Sequence, residues 1–278
     1  MRFEFVKMQG CGNDYIYFNC LKAPFPNPEI NAVKLSDRHF GIGGDGIILI
    51  ERSDKADAFM RLYNADGSAA RMCGNGVRSV ARYLRDAELL ADPLQAKIDT
   101  PCGVKIITFE DDNITVNMGK PSFEHDDIPM RIPFEMRHGN QNTIIADGEV
   151  YYFVGVSMGN PHAVVFVYDP YSLDLSKIGP IFEKHDYFPD SVNAEFVRVL
   201  TPNNVTMRVW ERGSGETLAC GTGACAAAVA AAKIGYCDVD KGVTVHLRGG
   251  DLFIRTINGE VFMTGTAEKV FEGVIDIG

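Results

Sequence analysis

The sequence has no apolar run long enough to cross a bilayer, which takes about 20 residues. It has no C-x-x-C pair and no His/Cys group at the spacing of zinc ligands. Positive charge is scarce, since 27 Lys and Arg stand against 37 Asp and Glu, for a net charge of −10. These absences argue against a membrane protein, a zinc protein and a nucleic-acid-binding protein. We therefore expect no metal, no membrane partner and no nucleic-acid partner.

Glu4 interrupts the region where a secretory signal would keep an apolar core. The seven cysteines form an odd set, which does not suit a disulfide framework. We therefore expect a cytoplasmic location and reduced thiols. The length of 278 residues allows one large domain or two small ones.

Short runs rich in Val, Ile, Phe, Tyr and Thr recur along the chain and predict strands. Two segments predict helices. The first follows Cys73, has apolar residues at helical spacing, and stops near residues 92–93. The second follows Cys220, consists largely of alanine, and ends at Gly235 as its C-terminal cap. Because the second helix has almost no polar face, we expect a curled sheet to enclose it.

The chain repeats itself at an offset of 147 residues. Cys73-Gly-Asn-Gly recurs as Cys220-Gly-Thr-Gly, and Gly12-Asn13 recurs as Gly159-Asn160. The register holds without a gap from residue 12 to residue 76 and also pairs Asn64 with Glu211 and Gly46 with Asn193. A repeat of such long period predicts a duplication into two similar domains, with a site in the cleft between them.

The repeated cysteines suggest a chemistry. Unpaired N–H groups and the dipole at a helix N-terminus favour an anion, so the pKa of a thiol there is expected to fall. The same N–H groups can bind a carboxylate. Two such helix starts facing each other would hold one sulfur on each side of the adjacent carbon. One thiolate would remove a proton while the opposite thiol delivers another, which inverts that carbon.

Three further residues favour a site role. His162 follows a repeated Gly-Asn and is a candidate for tuning the pKa of a cysteine. Glu211 and Arg212 precede Cys220 and are able to receive an ammonium group and a carboxylate, which suggests a substrate with a second charged end.

Two other motifs compete with this interpretation. Residues 41–46 satisfy G-x-G-x-x-G, but a dinucleotide site needs a helix after the glycines and a strand is predicted there. Residues 155–159 satisfy G-x-S-x-G around Ser157, but the nucleophile elbow of a serine hydrolase also needs a helix next. A hydrolase using Ser157 stays as a minor alternative.

Six stretches in this order resemble the motifs of the diaminopimelate epimerases. They are Gly10-Cys-Gly-Asn-Asp14, Arg38-His-Phe-Gly-Ile-Gly-Gly-Asp-Gly46, Tyr63-Asn-Ala-Asp-Gly-Ser68, Met72-Cys-Gly-Asn-Gly-Val-Arg78, Met158-Gly-Asn-Pro-His162 and Glu211-Arg-Gly-Ser-Gly-Glu-Thr-Leu-Ala-Cys-Gly-Thr-Gly-Ala224. The resemblance spans most of the chain, and its two cysteine motifs together are highly specific.

The resemblance implies an α/β (α+β) fold of two pseudo-symmetric domains, each a curled, mostly antiparallel sheet around a central helix. We place the N-terminal domain at residues 1–120 plus 267–278 and the C-terminal domain at 121–266. The implied reaction interconverts LL- and meso-diaminopimelate, for lysine and cell-wall precursor synthesis, with no cofactor and no metal. The implied partners are this small substrate and a second copy of the chain in a homodimer.

The resemblance also assigns roles. Cys73 and Cys220 are the implied catalytic residues, and His162 and Glu211 the residues that set their pKa values. The implied substrate-binding residues are Asn13, Asn64, Gly74, Asn75, Asn160, Asn193, Glu211, Arg212, Gly221 and Thr222.

Gly46 departs from the family, since some members carry a substrate-contacting glutamine there, and we leave it out of the site. Another two-cysteine racemase, of the proline or histidine type, stays open. Proline racemases carry Cys-Gly-His-Gly where this chain has Cys-Gly-Asn-Gly, and they have no second charged end to hold. A non-catalytic binding protein of the same fold is disfavoured because both cysteines are present.

Overall fold

The computed structural model describes residues 1–70 and 73–277. The chain divides into two compact units, Met1–Asn117 with Thr264–Gly278, and Met118–Met263. Within the described ranges, none of the helices combines the length and apolarity that a membrane span requires.

Nineteen strands and four α-helices follow one another along the described chain. In order they are β1 (Arg2–Gly10), β2 (Asn13–Asn19), α1 (Pro28–Ser36), β3 (Gly46–Glu51), β4 (Ala58–Asn64), β5 (Ala69–Ala70), α2 (Gly74–Asp86), β6 (Gln95–Asp99), β7 (Lys105–Glu110), β8 (Asn113–Gly119), β9 (Arg137–His138), β10 (Gln141–Ala146), β11 (Glu149–Ser157), β12 (Pro161–Phe166), α3 (Leu175–Glu183), β13 (Asn193–Thr201), β14 (Asn204–Glu211), β15 (Gly215–Thr217), α4 (Gly221–Lys233), β16 (Val243–Leu247), β17 (Gly250–Ile257), β18 (Glu260–Gly265) and β19 (Glu268–Asp276). Short 3-10 turns occupy Phe134–Met136 and Pro170–Ser172.

The first unit contains a sheet in the order β19-β1-β2-β3-β4-β6-β7-β8. Neighbouring strands are antiparallel except for the parallel pairs β2–β3 and β4–β6. Parallel neighbours need a crossover, and α1 and α2 lie in the two connections. The helix α2 contacts β1, β2 and β6 through a face that buries Val77, Val80, Ala81 and Leu84.

The second unit repeats this arrangement. Its sheet runs β9-β10-β11-β12-β13-β14-β16-β17, and its parallel pairs β12–β13 and β14–β16 correspond to β2–β3 and β4–β6. Helix α3 begins and ends 147 residues after α1, and α4 begins and ends 147 residues after α2. The predicted α/β fold, with similar halves produced by duplication, is confirmed.

Helix α4 is enclosed as expected, since it contacts β11, β12, β13, β14, β16 and β17 and is buried along most of its length. Small alanine side chains let the strands approach it closely on all sides. Its C-terminal cap is Ile234, followed by Gly235 with a positive φ of 80°. Because glycine adopts that conformation without a Cβ clash, it ends the helix there.

The structure corrects several details predicted from the sequence. Helix α2 ends at Asp86 and not near residues 92–93. The sequence patterns do not predict α1 or α3, because α1 has little apolar periodicity and α3 contains Pro180, a residue that usually disfavours a helix interior. The edge pair β1–β19 joins opposite ends of the chain, a contact that local patterns do not reveal.

Candidate active site

Cys73 is the N-cap residue of α2, with an extended backbone (φ −139°, ψ 112°). Its Sγ accepts a hydrogen bond from the amide of Gly76 at 3.2 Å, which is the usual bond of an N-cap side chain to the first helical turn. A Cβ on Gly76 would lie 2.8 Å from Ile48 Cδ1 and 3.4 Å from Cys73 Sγ. Glycine therefore lets the start of the helix pack against both the sheet and the sulfur.

Asn13, at the start of β2, reaches the same helix start. Cys73 Sγ donates to Asn13 Oδ1 at 3.2 Å, and Asn75 Nδ2 lies 3.5 Å from that oxygen. Asn13 Nδ2 in turn donates to Asp45 at 2.7 Å. The buried guanidinium of Arg78 donates to Asn75 Oδ1 at 2.8 Å. The first unit thus brings the predicted residues Asn13, Cys73 and Asn75 together.

Cys220 occupies the equivalent N-cap position of α4, with nearly the same backbone conformation (φ −126°, ψ 113°). It is buried, and its Sγ lies 3.5 Å from Thr222 Oγ1. A Cβ on Gly223 would lie 2.7 Å from Glu195 Oε1 and 3.3 Å from Cys220 Sγ. Glycine at this position again admits a close neighbour, but here the neighbour is a carboxylate.

A chain of hydrogen bonds runs beside the start of α4. Asn160 Nδ2 donates to Thr222 Oγ1 at 3.3 Å, and Asn160 Oδ1 lies 3.1 Å from His162 Nε2. His162 Nδ1 lies 2.7 Å from Glu195 Oε1, and neither of these two side chains is exposed to solvent. The predicted residues Asn160, His162 and Thr222 are therefore linked to each other in the second unit, next to Cys220.

Glu211, Arg212 and Asn193 lie where β13 and β14 pair. The amide of Arg212 donates to Asn193 Oδ1 at 2.9 Å, and Asn193 Nδ2 donates to the carbonyl of Pro161 at 2.9 Å. Thr217 donates a hydrogen bond to Glu211 Oε1. These bonds hold the end of β14 against the start of β12.

Glu183, at the end of α3, fixes the turn that carries Arg212. Its carboxylate accepts from Trp210 Nε1 at 2.7 Å and from the amide of Gly213 at 2.9 Å. The guanidinium of Arg212 donates to the carbonyl of Asp190 at 2.9 Å. Arg212 is thus held by hydrogen bonds on both sides of its turn.

The expectation of a lowered thiol pKa is wrong for Cys220. Burial raises the pKa of the Cys220 thiol well above its ordinary value, and the negative charges of Glu211 and Glu195 raise it further. The contact with Thr222 lowers it. The helix N-terminus favours a thiolate, but desolvation and two carboxylates outweigh that contribution.

Asn64 and Gly46 face each other across β3 and β4. Asn64 Nδ2 donates to Ser68 Oγ at 3.0 Å within the turn that follows β4. A Cβ on Gly46 would lie 2.1 Å from the carbonyl oxygen of Tyr63. This backbone therefore has no room for the glutamine that some family members carry at this position.

Both competing motifs lack the helix that they need. The glycine-rich loop 41–46 leads directly into β3, and Ser157 ends β11, with β12 beginning at Pro161. Among residues 1–70 and 73–277, no three His, Cys, Asp or Glu side chains gather as metal ligands.

Comparison with known proteins identifies the family. The family described as diaminopimelate epimerase matches residues 5–124 and 154–270. The chain belongs to the diaminopimelate epimerase family. Two relatives named diaminopimelate epimerase come from Agathobacter rectalis, at 47% identity over 99% of each chain, and from Methanococcus maripaludis, at 44% identity over 99% of this chain and 100% of the relative.

Solved structures show that the fold is shared more widely. A phenazine biosynthesis protein of the PhzF family from Bacillus anthracis covers 100% of both chains, with a TM-score of 0.66 at 15% identity. A hydroxyproline epimerase from Agrobacterium vitis covers 99% of this chain and 91% of its own, with a TM-score of 0.65 at 14% identity. At such low identity these matches establish the fold alone.

Sequence reasoning missed Glu195 and gave Arg78 no role, and both lie at the helix starts. The sequence does contain a feature that could have indicated a role for each residue. Glu195 is a charged residue within the apolar strand β13, and Arg78 is a charged residue on the buried face of α2. A charge in such a segment is costly unless it is paired. Met72, the first residue of one family motif, lies outside the described residues.

Proposed function

We propose that this chain interconverts LL- and meso-diaminopimelate by inverting one α-carbon, with the sulfurs of Cys73 and Cys220 as the two bases. The observation that carries the proposal is the duplicated cysteine cap. Cys73 and Cys220 each precede a thirteen-residue helix at equivalent places in two similar units. Membership of the diaminopimelate epimerase family supports the substrate.

The proposed mechanism needs one thiolate and one thiol on opposite faces of the substrate carbon. The thiolate takes the α-hydrogen as a proton and becomes a thiol. The opposite thiol gives its proton to the other face of the carbanion and becomes the thiolate. The reverse reaction exchanges these two roles, so no proton is gained or lost in a full turnover.

The carbanion is stabilised by backbone amides. The amides at Gly74 and Asn75, and at Gly221 and Thr222, lie in the first turns of α2 and α4 and would bind the substrate α-carboxylate. These N–H groups and the positive ends of the two helix dipoles would stabilise the negative charge that develops on the carboxylate as the proton leaves. No cofactor enters this scheme.

The distal amino-acid end of the substrate would be bound by polar side chains. We assign Glu211 to its ammonium group and Arg212 to its carboxylate, since these charges complement each other. Asn13, Asn64, Asn160 and Asn193 would complete the contacts. His162 and Glu211 would set the protonation of the cysteines, which the pKa contribution of Glu211 at Cys220 supports.

We also propose a cytoplasmic location and a homodimer. The mechanism requires reduced thiols, which a cytoplasm maintains. The homodimer is supported by strand β19, which leaves Val270, Phe271 and Val274 exposed.

The proposal is tested by running the reaction in deuterated water from each stereoisomer. We expect solvent deuterium at the inverted carbon, whereas product that keeps the substrate's own hydrogen would contradict the two-base scheme. Changing Cys73 or Cys220 to Ala should reduce inversion by at least about 100-fold, because each removes one proton-transfer group. The control Cys102→Ala changes an exposed cysteine and should retain activity.

The same assay decides the substrate. Diaminopimelate isomers, proline, hydroxyproline and histidine are compared for exchange of the α-hydrogen. Faster exchange with proline or histidine than with diaminopimelate would replace the proposed substrate with that of another two-cysteine racemase.

A further inference from the structure

The two cysteine caps have nearly the same backbone conformation but different side chains beneath them. Ile48 and Glu195 are equivalent positions in the 147-residue repeat, and both lie beneath the third residue of their helix. The space beside Gly76 is filled by Ile48 Cδ1, whereas the space beside Gly223 is filled by Glu195 Oε1. A methyl group in the first unit is thus replaced by a carboxylate in the second.

The next pair of equivalent positions differs as well. Tyr15 in the first unit corresponds to His162 in the second. His162 and Glu195 are fully buried, with Nδ1 and Oε1 2.7 Å apart. Among the described residues, Glu195 Oε2 has no hydrogen-bond partner although it is buried. A buried carboxylate with an unpartnered oxygen is costly for folding, so its presence beside Cys220 calls for an explanation.

A third difference between the two units involves a positive charge. Arg78, fully buried on α2, corresponds to Cys225 on α4, and its guanidinium donates to Asn75 beside Cys73. The first unit therefore places a buried cation at the helix start that carries Cys73, where Asp45 also bonds to Asn13, while the second unit places Glu195 and Glu211 beside Cys220. A cation favours the thiolate and a carboxylate favours the thiol.

The titratable groups that face Cys220 come from three strands. Glu195 faces it from β13 and Glu211 from β14, while His162, on β12, acts through its bond to Glu195. His162 Nδ1 lies 2.7 Å from Glu195 Oε1, and the other ring nitrogen lies 3.1 Å from Asn160 Oδ1. Burial raises the pKa of the Glu195 carboxyl and its contact with His162 opposes that rise, so His162 helps to keep Glu195 charged.

We propose that Glu195 is a positioning residue that keeps Cys220 in its thiol form in the free protein, so that Cys73 loses its proton first. Glu195 acts through its charge and through His162, and it takes no proton from the substrate. The catalytic importance of this inference rests on the proposed function. The order in which the two thiols ionise can, however, be measured without the substrate.

The experiment measures the rate of alkylation of each cysteine by iodoacetamide from pH 5 to 10, with each site quantified by peptide mass spectrometry. The midpoint of each rate profile reports the ionisation of that thiol, because only the thiolate reacts, whereas restricted access of the reagent lowers the rate at every pH. In the unmodified chain, we expect the midpoint of Cys73 to lie below that of Cys220. Equal midpoints, or the reverse order, would overturn the inference without any variant.

Glu195→Gln removes the charge and keeps the shape. It should move the Cys220 midpoint down by about one pH unit and leave the Cys73 midpoint unchanged. Glu195→Asp, which keeps the charge, should restore most of the original midpoint. The matched control is Glu216→Gln, a carboxylate in the same unit that pairs with Arg208 and Arg248, and it should leave both midpoints in place.

A kinetic readout separates positioning from a merely structural role. In the kcat/KM profile for diaminopimelate, Glu195→Gln should shift the alkaline limb to lower pH and leave the acidic limb unmoved. A uniform loss of activity with both limbs and both midpoints unchanged would show that Glu195 is only structural. If alkylation midpoints shift but diaminopimelate is not turned over, the proposed function fails and the inference about Glu195 stands.

Discussion

Gly46 shows how a single residue restricts the backbone around the site. Strands β3 and β4 pair so closely at this point that a side chain on residue 46 would overlap the carbonyl of Tyr63. The neighbouring Asn64 therefore faces a backbone with no side chain opposite it. This packing explains in physical terms why the chain departs from family members that carry glutamine there.

Replacing Gly46 with Ala should lower the free energy of unfolding by about 3 kcal/mol, because β3 or β4 must shift to make room. Urea unfolding measures the effect. The control is Gly148→Ala, where φ is 79° but no atom lies within 4 Å of the added Cβ. Backbone strain alone should cost about 1 kcal/mol there, and equal losses in the two variants would contradict the steric argument.

Cys220 illustrates the limit of interpreting one residue by its local motif. A cysteine at a helix N-terminus is expected to ionise readily, and the motif alone carries no information against this. The two carboxylates that reverse the direction of the pKa shift come from β13 and β14, 25 and 9 residues earlier in the chain. Their effect depends on the sheet that places them beside the sulfur.

Among the helices and strands, α4 is the most predictable part of the fold. Its run of alanines has no polar face, which predicts burial on all sides, and the surrounding strands enclose it. Helix α2 carries a polar face and is partly exposed. Helices α1 and α3 are equivalent in the repeat, but their sequences are too different for either to reveal the other.

Ala228→Glu should abolish cooperative folding of the second unit, because Ala228 is fully buried in α4 and the substitution would bury an unpaired carboxylate. Circular dichroism during urea titration, together with the fluorescence of Trp210 in the same unit, follows the loss. The matched control is Ala87→Glu at the exposed end of α2, which should cost less than about 0.5 kcal/mol. Similar losses in both variants would show that α4 is not enclosed as described.

In the molecule as a whole, the first unit is built from both ends of the chain. Strand β19 pairs with β1 along nearly its whole length, and the backbone of Met1 bonds to Ile277. The second unit is continuous in sequence. The exact domain limits at 120/121 and 266/267 stay a prediction of the repeat.

Light scattering should give twice the mass of one chain if the proposed homodimer forms. Val274→Asp on β19 should weaken association at least about tenfold, because it places a charge on an exposed apolar strand. The control is Val150→Asp, a similarly exposed valine on β11, which should not change the mass. A monomeric unmodified chain, or a dimer weakened equally by both substitutions, would contradict the proposal.

The order of residues alone establishes the duplication, the two helices that follow Cys73 and Cys220, and the family. These features are local or periodic, so they are visible without any knowledge of the fold. From the sequence alone, the placement of the site residues stays a prediction, because it depends on contacts between residues that are distant in the chain. The folded chain adds that Ile48 and Glu195 occupy equivalent places, and that Arg78 supports one helix start while Glu195 supports the other. Burial and the pairing of distant strands produce these differences, which the two nearly identical cysteine motifs do not reveal.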